Sequence, residues 1–224
     1  MRILLINTSG GEGSVALADG DLAGGVVAQE TLPGRSSSER LVPAVKRLLE
    51  VNGWTLGELA AIVVVNGPGS FTGVRVGLSA AKGLSEAVNV PMVAVSRLAL
   101  LAASAGEVEA TVYAVLDAGR GEFYVGEYRG RRCVREALLS EGDLAAAVAG
   151  GVVVMCEAKA AEALVGMHPR LVGEPSAGDA LPFALERIEA GEFDDTASVD
   201  ANYLRRTDLE IFAKPKGKAG SAAG

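Results

Sequence analysis

Short continuous runs of apolar residues alternate with segments of helical periodicity along the first half of the chain. Apolar runs bounded by turn residues are typical of buried strands, whereas apolar positions that recur every three or four residues indicate an amphipathic helix. The predicted strands of this half cover residues 2–6, 14–18, 26–32, 61–65 and 91–95. Helices are predicted after the capping-box sequence Ser36-x-x-Glu39, between Thr72 and Val88, and from Ser96 to about Ala105, with a short helical turn at Thr55-x-x-Glu58.

The second half of the chain repeats this order of elements. Its predicted strands cover residues 111–117, 122–128, 132–139 and 152–156. A helix capped by Ser140-x-x-Asp143 precedes the last of these strands, and a further helix is predicted from Asp179 to Glu189. Three meandering strands, a helix, a strand and a helix therefore occur twice, which predicts an α/β fold with two lobes of βββαβα type. This is the plan of the two-lobed actin-like ATPase (ribonuclease H-like) fold.

A break in the apolar pattern between Ser104 and Gly106 marks the predicted boundary between the lobes. We therefore assign residues 1–104 to an N-terminal actin-like lobe and residues 105–213 to a C-terminal actin-like lobe. Residues 214–224 are low in complexity and lack the apolar residues needed for a packed core, so we expect a flexible tail there.

Composition and charge exclude some classes of protein. The chain has 224 residues, of which 49% are hydrophobic, and a formal net charge of −7. A free-standing nucleic-acid-binding domain is usually basic because it neutralises phosphates. This acidic chain therefore does not bind nucleic acid through its overall charge. Cys133 and Cys156 lack the spacing of metal ligands, which is typical of a reduced cytosolic protein. The chain has no apolar run of about 18 residues, and we expect no signal peptide and a cytoplasmic protein without a membrane partner.

The segment GPGSFTGVRVG, from Gly67 to Gly77, follows a predicted strand and opens the next helix. Exposed N–H groups and the dipole at a helix N-terminus attract anions, so this turn is a candidate phosphate site. Its candidate phosphate-binding residues are Gly67, Gly69, Ser70 and Thr72. The segment lacks the Lys-Ser/Thr ending of a P-loop, and a tight structural turn is the favoured interpretation. Ser70 is interpreted as a helix N-cap rather than a nucleophile, because no His or Lys lies near it in sequence.

The helix that this segment opens carries small residues on one side. An interior glycine costs a helix about 1 kcal/mol relative to alanine, so Gly73, Gly77 and Gly83 indicate a close approach to another part of the structure. The small face either packs tightly inside its own lobe or contacts a helix of a partner, and composition alone does not separate these interpretations. In the second case the partner-binding residues are Gly73, Gly77, Ala80, Ala81 and Leu84.

Four segments of the chain together resemble the TsaB (YeaZ) family. They are residues 6–9 (INTS), the glycine-rich segment 67–77, residues 117–124 (DAGRGEFY) and residues 203–205 (YLR). The similarity runs from Met1 to about Lys216, and the glycine-rich segment with its preceding strand is its most specific part. Members of the family are bacterial, cytosolic proteins of actin-like fold. They are partners of a TsaD-type catalytic subunit in making N6-threonylcarbamoyladenosine (t6A) at tRNA position 37.

The resemblance implies a non-catalytic scaffold or activator that binds the TsaD-type subunit through helices of its first lobe. The expected partners are the TsaD-type subunit in a heterodimer, a TsaE-type ATPase, and tRNA through the complex. The chain alone is expected to form a homodimer through the same face. No intrinsic cofactor is expected, and ATP or ADP in the complex would lie in the partner's cleft or at the shared interface. Basic residues near the end of the chain fit either tRNA contact or a solvated tail; they are Arg205, Arg206, Lys214, Lys216 and Lys218.

Departures from the family pattern bear on catalysis. The family commonly has Asp where this chain has Asn7, and an amide cannot carry the charge that positions Mg²⁺ and water in an actin-like phosphotransferase. Residues 96–101 hold no metal ligand where the catalytic relative binds its metal, so no metal site and no catalytic residue are expected. Asp117 is interpreted as a turn residue of its own hairpin, or otherwise as a cleft carboxylate. The alternative function, an independent actin-like ATPase or small-molecule kinase, predicts nucleotide turnover by the chain alone.

Overall fold

The computed structural model of the chain describes residues 1–21, 25–106, 109–148 and 150–204. This part of the chain forms two mixed β-sheets of five strands each, with helices packed on their faces. The predicted tail at 214–224 and the basic residues from Arg205 onward lie outside the described residues.

The first sheet is formed by the first five strands of the chain. They are β1 (Arg2–Asn7), β2 (Gly13–Asp19), β3 (Val26–Leu32), β4 (Ala61–Val65) and β5 (Met92–Val95). Their order is β3-β2-β1-β4-β5: the first three strands pair antiparallel, and β4 and β5 continue the sheet in parallel. The helices that follow β3, β4 and β5 are α1 (Ser37–Val51), α2 (Phe71–Val88) and α3 (Arg97–Ala103). All residues of β4 are buried, as expected for a parallel strand covered on both faces.

The second sheet has the same topology as the first. Its strands are β6 (Thr111–Gly119), β7 (Glu122–Arg129), β8 (Arg132–Ser140), β9 (Val152–Met155) and β10 (Arg170–Leu171), in the order β8-β7-β6-β9-β10. Its helices are α4 (Glu141–Ala147), α5 (Ala158–Ala163) and α6 (Leu181–Glu189). Each half has the order βββαβαβα, which contains the predicted βββαβα unit and confirms the predicted α/β fold, although α5 and β10 were not predicted.

Helices α3 and α6 each pack on the sheet of the other half of the chain. Leu98 and Leu101 of α3 are buried in one cluster with Val112 and Tyr128 of the second sheet. On the other side, the α6 residues are buried with the first sheet, in a cluster that includes Leu5, Val63, Leu181 and Ala184. The two halves therefore share their hydrophobic core through exchanged helices.

Most of the predicted helix caps are present, and one is wrong. The side chains of Ser70, Ser96 and Ser140 each accept a hydrogen bond from a backbone N–H in the first turn of the helix that follows. Ser36 makes no cap to α1, because a 3₁₀ turn at Gly34–Ser36 runs directly into the helix and the Ser36 hydroxyl donates to the Pro33 carbonyl at 2.7 Å. In the described part of the chain, no helix is long and apolar enough to cross a membrane.

Candidate functional site

The glycine-rich segment packs tightly against the turn that joins β1 to β2. The Ser70 N–H donates to the Ser9 carbonyl at 2.8 Å. A side chain at Gly69, whose φ is +152°, would overlap with that same carbonyl. On the other side, the Gly67 carbonyl accepts from the Arg97 N–H at 2.7 Å. These contacts support the interpretation of a tight structural turn for Gly67 and Gly69.

The candidate phosphate-binding residues fall into two groups. Ser70 and Thr72 line an open cavity of about 330 Å³, together with the β1–β2 turn and the start of α1. Gly67 and Gly69 lie in the turn behind them rather than on the cavity wall. The Ser70 hydroxyl accepts from the Gly73 N–H at 3.2 Å, so it serves as the predicted N-cap. Phosphate binding by this group stays a prediction.

Three of the five predicted partner-binding residues face their own lobe. A side chain at Gly73 would overlap with the Thr8 carbonyl, and one at Gly77 with the Thr8 hydroxyl. That hydroxyl donates to the Gly73 carbonyl at 2.7 Å, so it is held in place. Ala81 is completely buried in the core of the first lobe. The glycines of α2 therefore allow the helix to approach β1 closely, which is the first of the two interpretations of the small face.

A second row of small residues lies on the outer side of α2. Ala80 and Leu84, from the predicted set, are half-buried, whereas Gly83 is exposed with no other atoms within 4 Å of an added side chain. This row, which we call the outer face of α2, consists of Val76, Ala80, Gly83, Leu84 and Ala87. The predicted partner-binding set left out Val76, Gly83 and Ala87. Together with Ala80 these residues follow one another at intervals of four, three and four positions, which is the spacing of one helix face.

Arg97 lies at the centre of a cluster of charges between the lobes. Its side chain is only 4% exposed, and its Nη2 lies 3.0 Å from Glu174 Oε1 and 3.9 Å from Glu157 Oε1. Burial raises the pKa of the Glu157 carboxyl, and it raises the pKa of the neighbouring Cys156 thiol to about 11. Sequence reasoning missed this cluster, because Glu174 is 77 positions from Arg97 and nothing in the local pattern joins them.

Asn7 and Asp117 are both engaged by their own surroundings. Asn7 is buried, its Nδ2 donates to the Pro175 carbonyl at 2.8 Å, and its Oδ1 accepts from the N–H and the hydroxyl of Ser9. The Asp117 carboxylate accepts from the Gly119 N–H at 2.7 Å, as expected for a turn residue of its own hairpin. Among the described residues, no three His, Cys, Asp or Glu side chains are grouped as metal ligands would be.

An exposed aromatic group lies at the start of α2. Phe71 is 68% exposed, and the Arg75 guanidinium lies 3.3 Å from its ring centroid and 5.1 Å from that of Tyr203. Cation–π stacking of this kind orders a long arginine side chain on the surface. Through these contacts the start of α2 lies next to Tyr203, near the end of the described residues.

Comparison with known proteins identifies relatives of this chain. The family model for TsaD, tRNA N6-adenosine threonylcarbamoyltransferase, matches residues 19–173. The tRNA threonylcarbamoyladenosine biosynthesis protein TsaB of Escherichia coli is 39% identical over 131 residues, which are 58% of this chain and 55% of that protein. The protein of the same name in Bacillus subtilis is 36% identical over 63% of this chain and 61% of its own length. The matched part of the chain thus spans little more than half the length of these curated relatives.

A solved structure matches the chain more completely. YeaZ from Pseudomonas aeruginosa is 30% identical with a TM-score of 0.76, covering 91% of this chain and 99% of that one. This match confirms the predicted two-lobed actin-like (ribonuclease H-like) architecture. An uncharacterized protein of Mycobacterium tuberculosis is 32% identical over 82% of each chain. From the family model, the TsaB relatives and the full-length structural match together, we conclude that the chain belongs to the TsaB (YeaZ) family.

Proposed function

We propose that this chain is a scaffold or activator subunit that binds a TsaD-type threonylcarbamoyltransferase in the formation of t6A on tRNA. The observation that carries the proposal is the pair of relatives, at 39% and 36% identity, that are named tRNA threonylcarbamoyladenosine biosynthesis proteins. The family model matched by the chain is that of the transferase itself, so the two proteins of the proposed complex share a fold. Two subunits with the same fold can associate by packing their equivalent helices against each other, as the subunits of a symmetric dimer do.

The outer face of α2 is the surface we propose for this contact. Its residues are small or aliphatic, and Gly83 leaves room for the backbone of another helix to approach. The neighbouring helix α1 also presents exposed apolar residues, with Val42 and Val51 turned to solvent. Apolar surface on adjacent helices is the usual signature of a protein interface. In the free chain the same face would form the homodimer.

The role we propose is non-catalytic, and the contacts of Asn7 support it. A phosphotransferase of this fold needs a charged carboxylate in the cleft, whereas Asn7 is neutral and both atoms of its amide are already hydrogen-bonded inside the protein. Contact with a TsaE-type ATPase and with tRNA is proposed to occur through the complex, together with any ATP or ADP. A cytoplasmic location follows from the same proposal.

The test is complex formation with the TsaD-type protein of the same genome, measured by size exclusion with light scattering on each protein alone and on the mixture. We expect a new 1:1 peak for the wild-type chain. Gly83→Leu should weaken this complex at least about tenfold, because a leucine there blocks close helix approach at a position with no neighbours in the free chain.

Gly142→Leu is the matched control, because Gly142 is also a helical glycine with open space around it, but lies on α4 of the other lobe. Both variants should keep the thermal stability of the wild type and only the first should lose the complex. A full-strength complex with Gly83→Leu would exclude the outer face of α2 as the contact. Absence of any complex, together with ATP turnover by the chain alone, would instead favour an independent ATPase or kinase.

A further inference from the structure

The last described residues of the chain form a strap that crosses from the first lobe to the second. The strap consists of residues 194–204 and follows α6. At its start, the Asp194 N–H donates to the Met92 carbonyl at 2.9 Å, and the Asp194 carboxylate accepts from the Ala94 N–H at 2.6 Å. Both partners belong to β5, which is an edge strand of the first sheet. The start of the strap is therefore fixed to the first lobe.

The middle of the strap is fixed to the residue that follows β4. The Asn202 N–H donates to the Asn66 carbonyl at 2.8 Å, and Asn66 Nδ2 donates to the Asp200 carbonyl at 3.3 Å. Two apolar residues between these contacts, Val199 and Ala201, pack against the hydrophobic core of the first lobe. Backbone hydrogen bonds and apolar packing thus hold the strap on the first lobe as far as Asn202.

The side chain of Asn202 reaches the second lobe, where a carboxylate holds it. Asn202 Nδ2 donates to Oε2 of Glu136, a residue of β8 in the second sheet. The other oxygen of Glu136 accepts from the hydroxyls of Tyr128 and Ser96. Burial, together with the neighbouring Glu136 carboxylate, raises the pKa of Tyr128, so its hydroxyl keeps its proton and donates. Hydrogen bonds to an ionised carboxylate are stronger than those between neutral groups, so Glu136 is a firm anchor for the strap.

The end of the strap closes over the junction of the two lobes. Leu204 packs against the cluster that α3 forms with the second sheet, and the Tyr203 ring lies 5.1 Å from the Arg75 guanidinium of α2. Asn202, Tyr203 and Tyr124 of β7 line a cavity of about 70 Å³ beside the start of α2. Within the described residues, every polar side-chain contact of the strap with the second sheet goes to Glu136. Attachment to the second lobe thus depends on one polar pair, whereas attachment to the first lobe is distributed.

We propose that Asn202 and Glu136 form a clasp that keeps the two lobes closed on each other, and that release of this clasp opens the cleft between them while both sheets stay folded. The chain itself passes between the halves at the β5–α3 connection and between β10 and α6. Rotation about such connections is a common hinge motion, and the clasp adds a third link that opposes it. Asn202 is half-buried, so water can replace its bond to Glu136 at a modest net cost.

The clasp also controls access to the interior of the cleft. The charged cluster around Arg97 lies there, and its Nη2 is 3.8 Å from the Cys156 sulfur. This thiol is half-buried and packs against the same cluster as Leu204 of the strap. Cys156 is therefore a built-in reporter of cleft opening. The inference concerns the chain alone and does not rest on the proposed partner subunit.

The experiment measures how fast the Cys156 thiol reacts with dithiobis(nitrobenzoate) in the full chain. Cys133, which is exposed, is replaced by serine in every variant so that one thiol is observed. Asn202→Ala should raise the reaction rate at constant pH at least about tenfold, because a larger fraction of molecules has an open cleft. Asn52→Ala is the matched control: it removes another asparagine that donates one side-chain hydrogen bond, to the Leu48 carbonyl in the first lobe, and should react like the parent.

A second variant tests the clasp from the side of the second lobe. Glu136→Gln removes the charge and keeps the size of the side chain, and should also raise the rate. Combined with Asn202→Ala it should raise the rate no further, because both substitutions break the same contact. Circular dichroism should show the same secondary structure in all variants. An unchanged rate in Asn202→Ala would overturn the proposal, as would an equal rise in Asn52→Ala or fully multiplicative effects in the double variant.

Discussion

At the scale of single residues, Thr8 decides which glycines of α2 are replaceable. Its carbonyl and its hydroxyl lie against Gly73 and Gly77, and the hydroxyl is tied to the Gly73 carbonyl at 2.7 Å. Gly83 belongs to the same helix, but a side chain added there would meet no neighbouring element within 4 Å. In the sequence these glycines look alike, whereas in the fold they have opposite roles.

Alanine substitutions at Gly77 and Gly83 should therefore change stability in opposite directions. Gly77→Ala is expected to lower the free energy of unfolding by about 1–3 kcal/mol, because the new methyl group overlaps with Thr8. Gly83→Ala is expected to raise it by up to about 1 kcal/mol, because alanine is the better helix former and nothing opposes it. Urea unfolding of both variants measures the difference, and a stabilised Gly77→Ala would contradict the packing of α2 on β1.

Glu157 makes a pH-dependent contribution to stability. Burial raises the pKa of its carboxyl in the folded chain, although Arg97 and the Asp117 N–H act in the opposite direction. The charged form is therefore disfavoured in the folded state, and the wild type loses stability as the pH rises from the unfolded-state pKa, about 4.3, through the folded pKa.

Glu157→Gln should remove this loss, because glutamine keeps an oxygen that can accept the Asp117 N–H bond without a charge. The variant is expected to exceed the wild type in free energy of unfolding at pH 7, and the difference should shrink as the pH falls below the folded pKa. Urea unfolding at a series of pH values from 4 to 8 measures this difference in free energy of unfolding, with Glu189→Gln, at an exposed position, as the control. If the stability difference between Glu157→Gln and the wild type grew toward acid pH, the raised pKa of Glu157 in the folded chain would be refuted.

At the scale of elements, local patterns located all helices and strands except α5 and β10, but not which other elements each one packs against. Helix α2 was predicted between Thr72 and Val88 and runs from Phe71 to Val88, and the serine caps at Ser70, Ser96 and Ser140 are in place. Both rows of small residues on α2 have helical spacing, so periodicity alone cannot say which row faces the core. The predicted cap at Ser36 is absent, because the Ser36 hydroxyl donates instead to the Pro33 carbonyl of the preceding turn.

Helix α3 shows what a helix between two sheets looks like in sequence. Every residue from Arg97 to Ala102 is buried, and five of these six residues are apolar. A helix that is apolar on all sides is buried on all sides, as the run from Leu98 to Ala102 is here. Its partners could not be inferred, because they lie in β6 and β7 of the other half of the chain.

At the scale of the whole molecule, exchanged helices join the two halves into one core. Helix α3 fills a cluster on the second sheet, and α6 fills a cluster on the first. Neither sheet is completely covered by helices from its own half. We therefore expect the lobes to unfold together rather than one after the other.

This expectation can be tested with Trp54, the only tryptophan of the chain, which packs against the core of the first lobe. Its fluorescence and the far-ultraviolet circular dichroism of the whole chain should change at the same urea concentration. Leu98→Ala, on the α3 surface that packs on the second sheet, should lower both midpoints equally and cost about 2–5 kcal/mol. Val51→Ala, at a position 79% exposed, is the control. A shift in the circular dichroism signal alone would show that the lobes unfold independently.

The sequence by itself determined most of the strands and helices and their order, the α/β class and the family, because apolar periodicity, turn residues and the glycine-rich segment are local signals. Only the tertiary structure decided which side of α2 is buried, that α3 and α6 change lobes, and that Glu174 reaches the β1–β2 turn. The first and the last of these features join residues that are 65 and 163 positions apart, Thr8 with Gly73 and Gly11 with Glu174. Contacts over such separations arise from the packing of whole elements, and no local pattern encodes them.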